Sequence, residues 1–206
     1  MDQRSEEWFE ARRGLATGSR FADVLARTKS GTESASRKNY KAQLVAERLT
    51  GKVEESYTNA AMQWGIDYEP VARLEFQLAT GHAVEEAPFV KHETLQAGAS
   101  PDGYVGKDDL IEIKCPNTAT HIETVLAEKL PNKYEPQVQG QMWITGKKGC
   151  YFVSYDPRMP KELQLVWVYV ERNDTYIETL ETELVVFLGE VYDLEYKLRD
   201  KIGGMK

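Results

Sequence analysis

The sequence predicts an α/β (α+β) domain in which helices flank one central mixed β-sheet. Helical periodicity dominates up to residue 79, apolar–polar alternation recurs between residues 84 and 171, and a helical stretch closes the chain. Two more helical stretches interrupt the alternating region, an order of elements that is typical of a single sheet covered by helices. We expect the 206 residues to form one domain, 1–206, with 202–206 as a frayed tail.

Caps and stop residues mark the helices in the sequence. Helices are predicted over about 5–13, 19–25, 36–49, 59–79, 119–128, 135–144 and 176–201. Ser19 is a favourable N-cap for the second helix, while Gly51 and Gly81 end the third and fourth. Pro70 lies inside the fourth pattern and predicts a kink or a fresh start near Tyr68 and Glu69.

The composition excludes several classes of protein. The chain has no run of about 18 apolar residues and no apolar segment near its start, so neither a membrane span nor a signal peptide is expected. Cys115 and Cys150 lack the spacing of a structural zinc or iron–sulfur site, and a reducing cytosol is expected. The formal net charge of −7 disfavours a protein that coats nucleic acid, although residues 1–52 carry 11 Lys/Arg against 7 Asp/Glu.

The segment SPDGYVGKDDLIEIKCP, residues 100–116, carries a charged pattern that can be interpreted in two ways. Alternation places Glu112 and Lys114 on one face of a strand, and Asp102 at the start of the preceding strand meets Glu112 if the two strands pair. Mg²⁺ prefers oxygen ligands, which Asp102, Glu112 and the Ile113 carbonyl can supply. Lys114 would then lie beside the attacking water or the phosphate, as metal-assisted phosphodiester hydrolysis requires. The same letters also fit a charged surface hairpin, and the segment alone leaves both interpretations open.

Two helical stretches favour the interpretation as a site. Glu69 lies in WGIDYEP, at the predicted helix break, where its side chain can turn inward. Gln137 lies in the glutamine-rich stretch YEPQVQGQMW, with Gln141 at helical spacing on the same face. Gln137 can donate to a water or a phosphate, and it can equally belong to a solvated helix face.

The segments considered together resemble the phage lambda-type alkaline exonucleases of the YqaJ viral recombinase family, in the PD-(D/E)xK nuclease superfamily. The matching stretches are EWFEARRGLATGS, WGIDYEPVARLEF, SPDG, EIKCP, QVQGQMW and YFVSYDPRM. They cover nearly the whole chain, and they are specific as a set rather than singly. The resemblance implies a restriction-endonuclease-like core and a Mg²⁺-dependent 5′→3′ exonuclease. Such an enzyme degrades one strand of linear double-stranded DNA to mononucleotides and leaves a 3′ single-stranded overhang.

The resemblance also implies roles for individual residues. Asp102 and Glu112 match the metal carboxylates, with the Ile113 backbone carbonyl as a further ligand, and Lys114 matches the catalytic lysine. Glu69 and Gln137 match supporting active-site positions. The implied DNA-binding residues are Arg12 and Ser19 in a 5′-phosphate pocket, Lys29 where the lambda protein has an arginine, and Met62 where it has a leucine that separates the strands.

The cofactors and partners follow from the resemblance alone. They are two Mg²⁺ ions, for which Mn²⁺ can substitute, double-stranded DNA ends, a homotrimeric ring around the DNA and a single-strand annealing protein. A phage or prophage gene expressed in the bacterial cytoplasm is implied as well. The alternatives are a Mg²⁺-dependent endonuclease and a non-catalytic DNA-end-binding scaffold of the same fold. Arg158, in the stretch DPRM, is left open as a turn residue, a DNA contact or a contact to a neighbouring subunit.

Overall fold

The computed structural model describes residues 3–53 and 59–204. Its helices are α1 (Glu6–Arg12), α2 (Phe21–Leu25), α3 (Ala35–Thr50), α4 (Ala60–Thr80), α5 (Thr118–Ala127), α6 (Glu135–Thr145) and α7 (Asp174–Gly204). Its strands are β1 (Ala16–Thr17), β2 (Val84–Glu85), β3 (Val90–Lys91), β4 (Ala97–Ala99), β5 (Gly103–Val105), β6 (Asp109–Lys114), β7 (Gly149–Tyr155) and β8 (Leu165–Glu171). Among these described residues, no helix is long and apolar enough to cross a membrane.

The described chain divides into two compact units. The first unit contains residues 3–53, 88–100 and 173–204, and the second contains residues 59–87 and 101–172. The expectation of a single domain over 1–206 stays a prediction.

A five-stranded mixed sheet organises the second unit, with strand order β2-β5-β6-β7-β8. The central pair, β6 and β7, is parallel, and the other neighbours are antiparallel. The chain crosses from β6 to β7 through α5 and α6, because parallel neighbours need a long connection. Helices and a mixed sheet in this arrangement confirm the predicted α/β fold class.

Alternation along β6 assigns one face of this sheet to each of two helices. Ile111 and Ile113 pack in a core cluster with Phe76 of α4. Leu110 lies in a second cluster with Val138 and Met142 of α6. Because residues two apart share a face, Glu112 and Lys114 lie on the α6 side of β6.

The first unit has its own small sheet and helical core. The sheet has the order β1-β4-β3, with β1 parallel to β4 and β3 antiparallel to it. The core packs α2 and α3 against the long closing helix α7, and the rings of Tyr40 and Phe187 stack with centroids 5.5 Å apart. Residues Phe21, Leu44 and Leu184 are fully or almost fully buried there.

Two local predictions are wrong, the first of them in part. No new helix starts near Tyr68 and Glu69, since α4 runs from Ala60 to Thr80 through Pro70, with the Asn59 side chain capping its start and a left-handed Gly81 at its end. The alternative of a kink at Pro70 stays a prediction. Ser19 is not an N-cap, because Gly18–Arg20 form a 3-10 turn and α2 begins only at Phe21. The frayed tail stays a prediction: α7 extends through Gly204, and Met205 and Lys206 lie outside the described residues.

Candidate active site

The antiparallel pairing of β5 and β6 brings Asp102 and Glu112 to one place. Gly103 pairs with Ile111, so Asp102 lies opposite Glu112 across the ladder. The Asp102 N–H donates to the Ile111 carbonyl at 3.1 Å, and Asp102 Oδ2 accepts the Ile113 N–H at 2.7 Å. The side chain of Asp102 thus replaces the backbone partner that β5 no longer supplies, which fixes its position against the end of β6. The predicted pairing of these two strands is confirmed.

The backbone of Ile113 contributes a second oxygen at this edge. The N–H and C=O of one strand residue point to the same neighbouring strand. The Ile113 N–H points to Asp102, so the Ile113 carbonyl points to the same side. At this position β6 extends past Gly103, where its pairing with β5 ends. The Ile113 carbonyl is therefore directed to the side on which the Asp102 carboxylate lies.

Glu112 is buried, with 1 % of its surface exposed, and its carboxylate is held by three neighbours. Gln137 donates to Oε1 at 2.6 Å and Gln141 donates to Oε2 at 2.8 Å, both from α6. The Lys114 ammonium lies 2.5 Å from Oε1. Because each oxygen is bound by a separate amide, the orientation of the carboxylate is set by a packed helix.

The electrostatics of this cluster show an excess of negative charge. Burial raises the pKa of Asp102 well above its ordinary value, and the charges of Glu112 and Glu69 raise it further, against the opposing effects of Lys114 and the Ile113 N–H. Burial acts to lower the pKa of Lys114, but Glu112 and Asp102 together raise it above its ordinary value. Lys114 is therefore a firmly protonated cation that only partly offsets the carboxylates.

The donor set fits a hard divalent cation that retains water. Among residues 3–53 and 59–204, no group of three or more His, Cys, Asp or Glu side chains is arranged to hold a metal ion. Mg²⁺ does not need such a group, because it is commonly bound by one or two carboxylates and keeps several waters. Asp102, Glu112 and the Ile113 carbonyl offer that smaller set.

Glu69 joins the cluster from α4. Its side chain is 16 % exposed and lies 3.4 Å from Arg73, one helical turn further along. Its charge contributes to the raised pKa of Asp102. Glu69 and Gln137 therefore lie in the second unit with the Asp102, Glu112 and Lys114 cluster.

The residues predicted to bind the 5′ phosphate lie in the first unit. The Arg12 guanidinium stacks on Trp8, 3.8 Å from the ring centroid, and Arg12 Nη1 donates to the Ser100 hydroxyl at 3.4 Å. Burial lowers the pKa of Arg12 to about 10, although Tyr40 and Glu47 act to raise it. The Tyr40 hydroxyl also accepts the Thr17 N–H at 2.8 Å.

Ser19 and Lys29 are less closely tied to Arg12. Ser19 is exposed, and its hydroxyl lies 3.5 Å from that of Thr17, so Ser19 adjoins the Tyr40 environment. Lys29 is exposed in the turn from Thr28 to Gly31, and no contact among the described residues joins it to Arg12 or Ser19.

Met62, the predicted strand-separating residue, lies in the first turn of α4 and is 46 % exposed. Trp64, two residues on, packs on Tyr68 with ring centroids 4.2 Å apart and is half-buried. Met62 is thus a surface residue of the second unit, while Trp64 is part of its packing.

Comparison with protein families decides the relationship. The family model described as the YqaJ-like viral recombinase domain matches residues 7–148, which is more than half of the chain. The chain belongs to this family.

Solved structures agree with the family assignment. An alkaline exonuclease from Laribacter hongkongensis, LHK-Exo, is 46% identical over 98% of this chain and 100% of its own, with a TM-score of 0.90. The same protein in complex with dAMP gives a TM-score of 0.91. A phage-related exonuclease from Haemophilus somnus, at 15% identity and a TM-score of 0.71, shares the fold. A putative uncharacterized protein ExoD of Escherichia coli K12 is 39% identical over 64 residues, 31% of this chain and 72% of its own.

Membership in the YqaJ family, together with the likeness to LHK-Exo, supports a nuclease role and a restriction-endonuclease-like core. Two features of this YqaJ chain escaped the sequence analysis. Gln141 holds the second oxygen of Glu112, and its helical spacing from Gln137 was the available signal. Ser100 binds both Arg12 and the Trp8 indole N–H, the latter at 2.8 Å, and nothing in the local sequence indicates these contacts.

Proposed function

We propose that this chain is a Mg²⁺-dependent 5′→3′ exonuclease that degrades one strand of linear double-stranded DNA to mononucleotides. The observation that carries the proposal is the convergence of Asp102 and Glu112 at one strand edge, with Lys114 against Glu112. Two carboxylates, a backbone carbonyl and a fixed ammonium form a donor set suited to phosphodiester hydrolysis without a covalent intermediate.

Hydrogen bonds within the protein already orient the two carboxylates of this proposed site. Asp102 is anchored by the Ile113 N–H, and Glu112 is anchored by Gln137 and Gln141. Asp102, Glu112 and the Ile113 carbonyl would hold the cation. Bound Mg²⁺ would supply Lewis-acid stabilisation of the phosphate and a more acidic water. Because the ligands are already oriented, little reorganisation is needed at the moment of reaction.

Lys114 is better suited to stabilise charge than to accept a proton. Its raised pKa means that it is an ammonium across the physiological range. A protonated amine beside the phosphate attracts the negative charge that develops there, which lowers the barrier. Deprotonation of the attacking water by Lys114 would first require the ammonium to lose its proton.

The direction of digestion is proposed from the first unit. Arg12 is a half-buried cation whose neighbours hold it by stacking and by a neutral hydroxyl, and its charge suits an anion such as a terminal 5′ phosphate. Ser19 and Lys29 are proposed as further contacts of that phosphate. Met62, exposed at the start of α4, is proposed to part the terminal base pairs.

The remaining parts of the proposal rest on the family. The binding of dAMP by LHK-Exo supports a mononucleotide product. We further propose double-stranded DNA ends as the substrate, Mn²⁺ as a substitute for Mg²⁺, two ions at the site and a homotrimeric ring around the DNA. A single-strand annealing protein is proposed to receive the 3′ overhang, in the cytoplasm of a bacterial host.

One experiment separates this proposal from its alternatives. Linear duplex labelled at the 5′ or the 3′ end is incubated with Mg²⁺ beside closed circular plasmid. We expect early release of the 5′ label, retention of the 3′ label and an intact circle. Nicking of the circle would instead identify an endonuclease, and binding of linear ends without any cleavage would identify a scaffold.

A further inference from the structure

Arg158 is held in an unusually defined position for a turn residue. It follows β7 within the sequence Asp156-Pro157-Arg158, and Asp156 is completely buried. Arg158 donates to Asp156 Oδ1 from Nε at 2.7 Å and to Oδ2 from Nη2 at 3.0 Å. This two-point pairing fixes the plane of the guanidinium as well as its place.

Two further contacts complete the support of this guanidinium. It lies over the Trp64 ring, 4.4 Å from the centroid, and Nη2 also donates to the Pro116 carbonyl at 3.1 Å. The Asp156 carboxylate is itself bound by the Thr118 hydroxyl at 2.7 Å. Rotation of the Arg158 side chain would therefore break several contacts at once.

One edge of the Arg158 guanidinium is exposed and carries a donor without an acceptor among the described residues. None of the described residues accepts a hydrogen bond from Nη1, and the side chain is 45 % exposed although it is so firmly held. The Trp64 indole N–H, which is buried in the same cluster, also has no acceptor among the described residues. A side chain that served only to neutralise Asp156 would not need an exposed and rigid donor edge.

The position of Arg158 places this donor edge near the candidate active site, within the second unit. Strands β6 and β7 are parallel, with Lys114 opposite Ser154, so both strands end at the same edge of the sheet. Pro116, whose carbonyl binds Arg158, is two residues beyond Lys114, a span of at most about 7 Å of chain. Arg158 therefore contacts the segment that directly follows the last residue of the candidate active site on β6.

We infer that Arg158 binds a backbone phosphate of the DNA strand beside the candidate active site, held for that purpose by Asp156 and Trp64. The inference rests on the proposed function, because it names a substrate contact of the same site. Arg158 is a binding residue in this inference, and Asp156 is a positioning residue that acts through it.

Binding without cleavage tests the inference. The affinity of a short, fluorescein-labelled duplex is measured by anisotropy in EDTA, from about 50 to 200 mM salt. The double variant Asp156→Asn/Arg158→Gln removes the pair without changing the net charge. We expect it to bind about tenfold more weakly, with the slope of log affinity against log salt reduced by about one, since one phosphate contact is lost.

A matched control uses the other end of β7. Lys148 and Asp108 form an exposed ion pair at 3.1 Å, immediately before that strand. Asp108→Asn/Lys148→Gln is also neutral in net charge and is expected to leave affinity and slope unchanged. Circular dichroism and melting temperature establish that each variant is folded.

A second variant covers the case in which the double variant does not fold. Arg158→Lys retains a cation beside Asp156. A lysine lacks the planar donor set with which arginine can bind the Asp156 carboxylate on one edge and a phosphate on the other, so we again expect weaker binding of the duplex. A folded variant of either kind with wild-type affinity and salt slope would overturn the inference, while metal-dependent cleavage by the wild type would still stand. Absence of that cleavage, with the slope reduced as expected, would instead overturn the proposed exonuclease alone.

Discussion

Charged side chains enter the interior in both units, and one cluster in each unit shows how differently their charges are balanced. In the first unit, Arg37 is 2 % exposed and pairs with Glu190 through two hydrogen bonds of 2.6 and 3.1 Å. Lys41 joins the same network by binding Glu190 and Glu33. In the second unit, the charges of Glu112 and Glu69 raise the pKa of Asp102, and the opposing effect of Lys114 is smaller, although Glu69 also pairs with Arg73.

The pKa shifts point in opposite directions in these two clusters. Burial acts to raise the pKa of Glu190, but Arg37 and Lys41 outweigh it and lower the pKa, which favours the charged form. Burial raises the pKa of Asp102 and the neighbouring carboxylates add to it, which favours the neutral form. A balanced network stabilises the fold, whereas a carboxylate whose pKa is raised by burial and by neighbouring carboxylates belongs to a candidate ligand site.

Two arginines of the first unit, Arg12 and Arg37, show a similar contrast for cations. Arg12 is a half-buried cation, whereas Arg37 is fully buried, and a ring and a neutral hydroxyl hold Arg12. Burial lowers the pKa of Arg12 to about 10, against the opposing effects of Tyr40 and Glu47. The first unit thus contains one arginine in a direct carboxylate pair and one arginine that is held by a ring and a hydroxyl.

The unbalanced carboxylates should matter most for cleavage. Asp102→Asn and Glu112→Gln keep the size of each side chain. Each change removes one negative charge and one oxygen ligand from a site with few ligands. We expect each to lower the cleavage rate of linear duplex by at least about 10³-fold, since Lewis-acid stabilisation is worth several kcal/mol. Glu190→Gln, the matched change in the balanced network, should leave the rate within about twofold. Substantial cleavage by Glu112→Gln at saturating Mg²⁺ would contradict the metal assignment.

Lys114 should affect the reaction more than the binding of the cation. Lys114→Ala removes the ammonium but keeps Asp102 and Glu112, so we expect the rate to fall by about 10² while Mg²⁺ still protects the protein against heat. The measurements are single-turnover cleavage and melting temperature with and without Mg²⁺. Equal losses of rate and of Mg²⁺-dependent stabilisation would show that Lys114 only orients Glu112.

The sequence predicted the unbalanced cluster better than its surroundings. Asp102 and Glu112 are separated by one hairpin, so alternation predicted that they would meet if the two strands paired, and the strands do pair. The role of Gln141 depends on which face of α6 meets the sheet, and that depends on packing between segments distant in the chain. The contact between Arg12 and Ser100 joins residues 88 positions apart and leaves no periodic trace.

The errors arose where a local rule met tertiary packing. A serine before an apolar stretch is a good N-cap signal, but the turn Gly18–Arg20 displaced the start of α2 beyond Ser19. Pro70 predicted a break, yet burial of Ala72 and Phe76 stabilises the turns that follow it. Propensity is a weak constraint in both cases, because burial of an apolar face contributes more.

Arg12 should determine the preference for a terminal phosphate. We expect faster digestion of 5′-phosphorylated than of 5′-hydroxyl duplex ends by about tenfold, and Arg12→Gln should remove the difference. Initial rates are compared on matched duplexes at one salt concentration, since phosphate contacts depend on salt. Arg199→Gln is the control, because that arginine is exposed and already paired with Glu195. A preference that persists in Arg12→Gln would place the pocket elsewhere.

The two acidic clusters should respond oppositely when their charge is removed in metal-free protein. Asp102 has a raised pKa in the folded state, so its contribution to stability is present below the unfolded value near 3.9 and is lost as pH rises through the folded value. Glu190 has a lowered pKa, so its contribution is present above the unfolded value near 4.3 and is lost as pH falls through the folded value.

We therefore expect Asp102→Asn to raise the melting temperature at pH 8 in EDTA by about 2–4 °C, which corresponds to about 1 kcal/mol. Glu190→Gln should lower it by a similar amount, because Arg37 loses its main partner while Glu190 itself is partly exposed. Repeating both at pH 5 should reduce the gain for Asp102→Asn. A lower melting temperature for Asp102→Asn at pH 8 would show that this carboxylate is balanced after all.

Met62→Ala should have the smallest effect on the rate of digestion. Because Met62 is uncharged, this change tests the opening of the duplex independently of the charged clusters. Met62 is 46 % exposed in the first turn of α4, so its truncation removes little core packing. Separation of a terminal base pair costs about 1–2 kcal/mol of stacking free energy, and insertion of an apolar side chain offsets part of this cost. We expect Met62→Ala to slow digestion of duplex about threefold while single-stranded substrate is unaffected. Leu78→Ala, on the same helix and 73 % exposed, is the control that should change neither rate. Equal slowing of duplex and single-stranded digestion by Met62→Ala would assign Met62 to packing, and the charged clusters alone would then account for the activity.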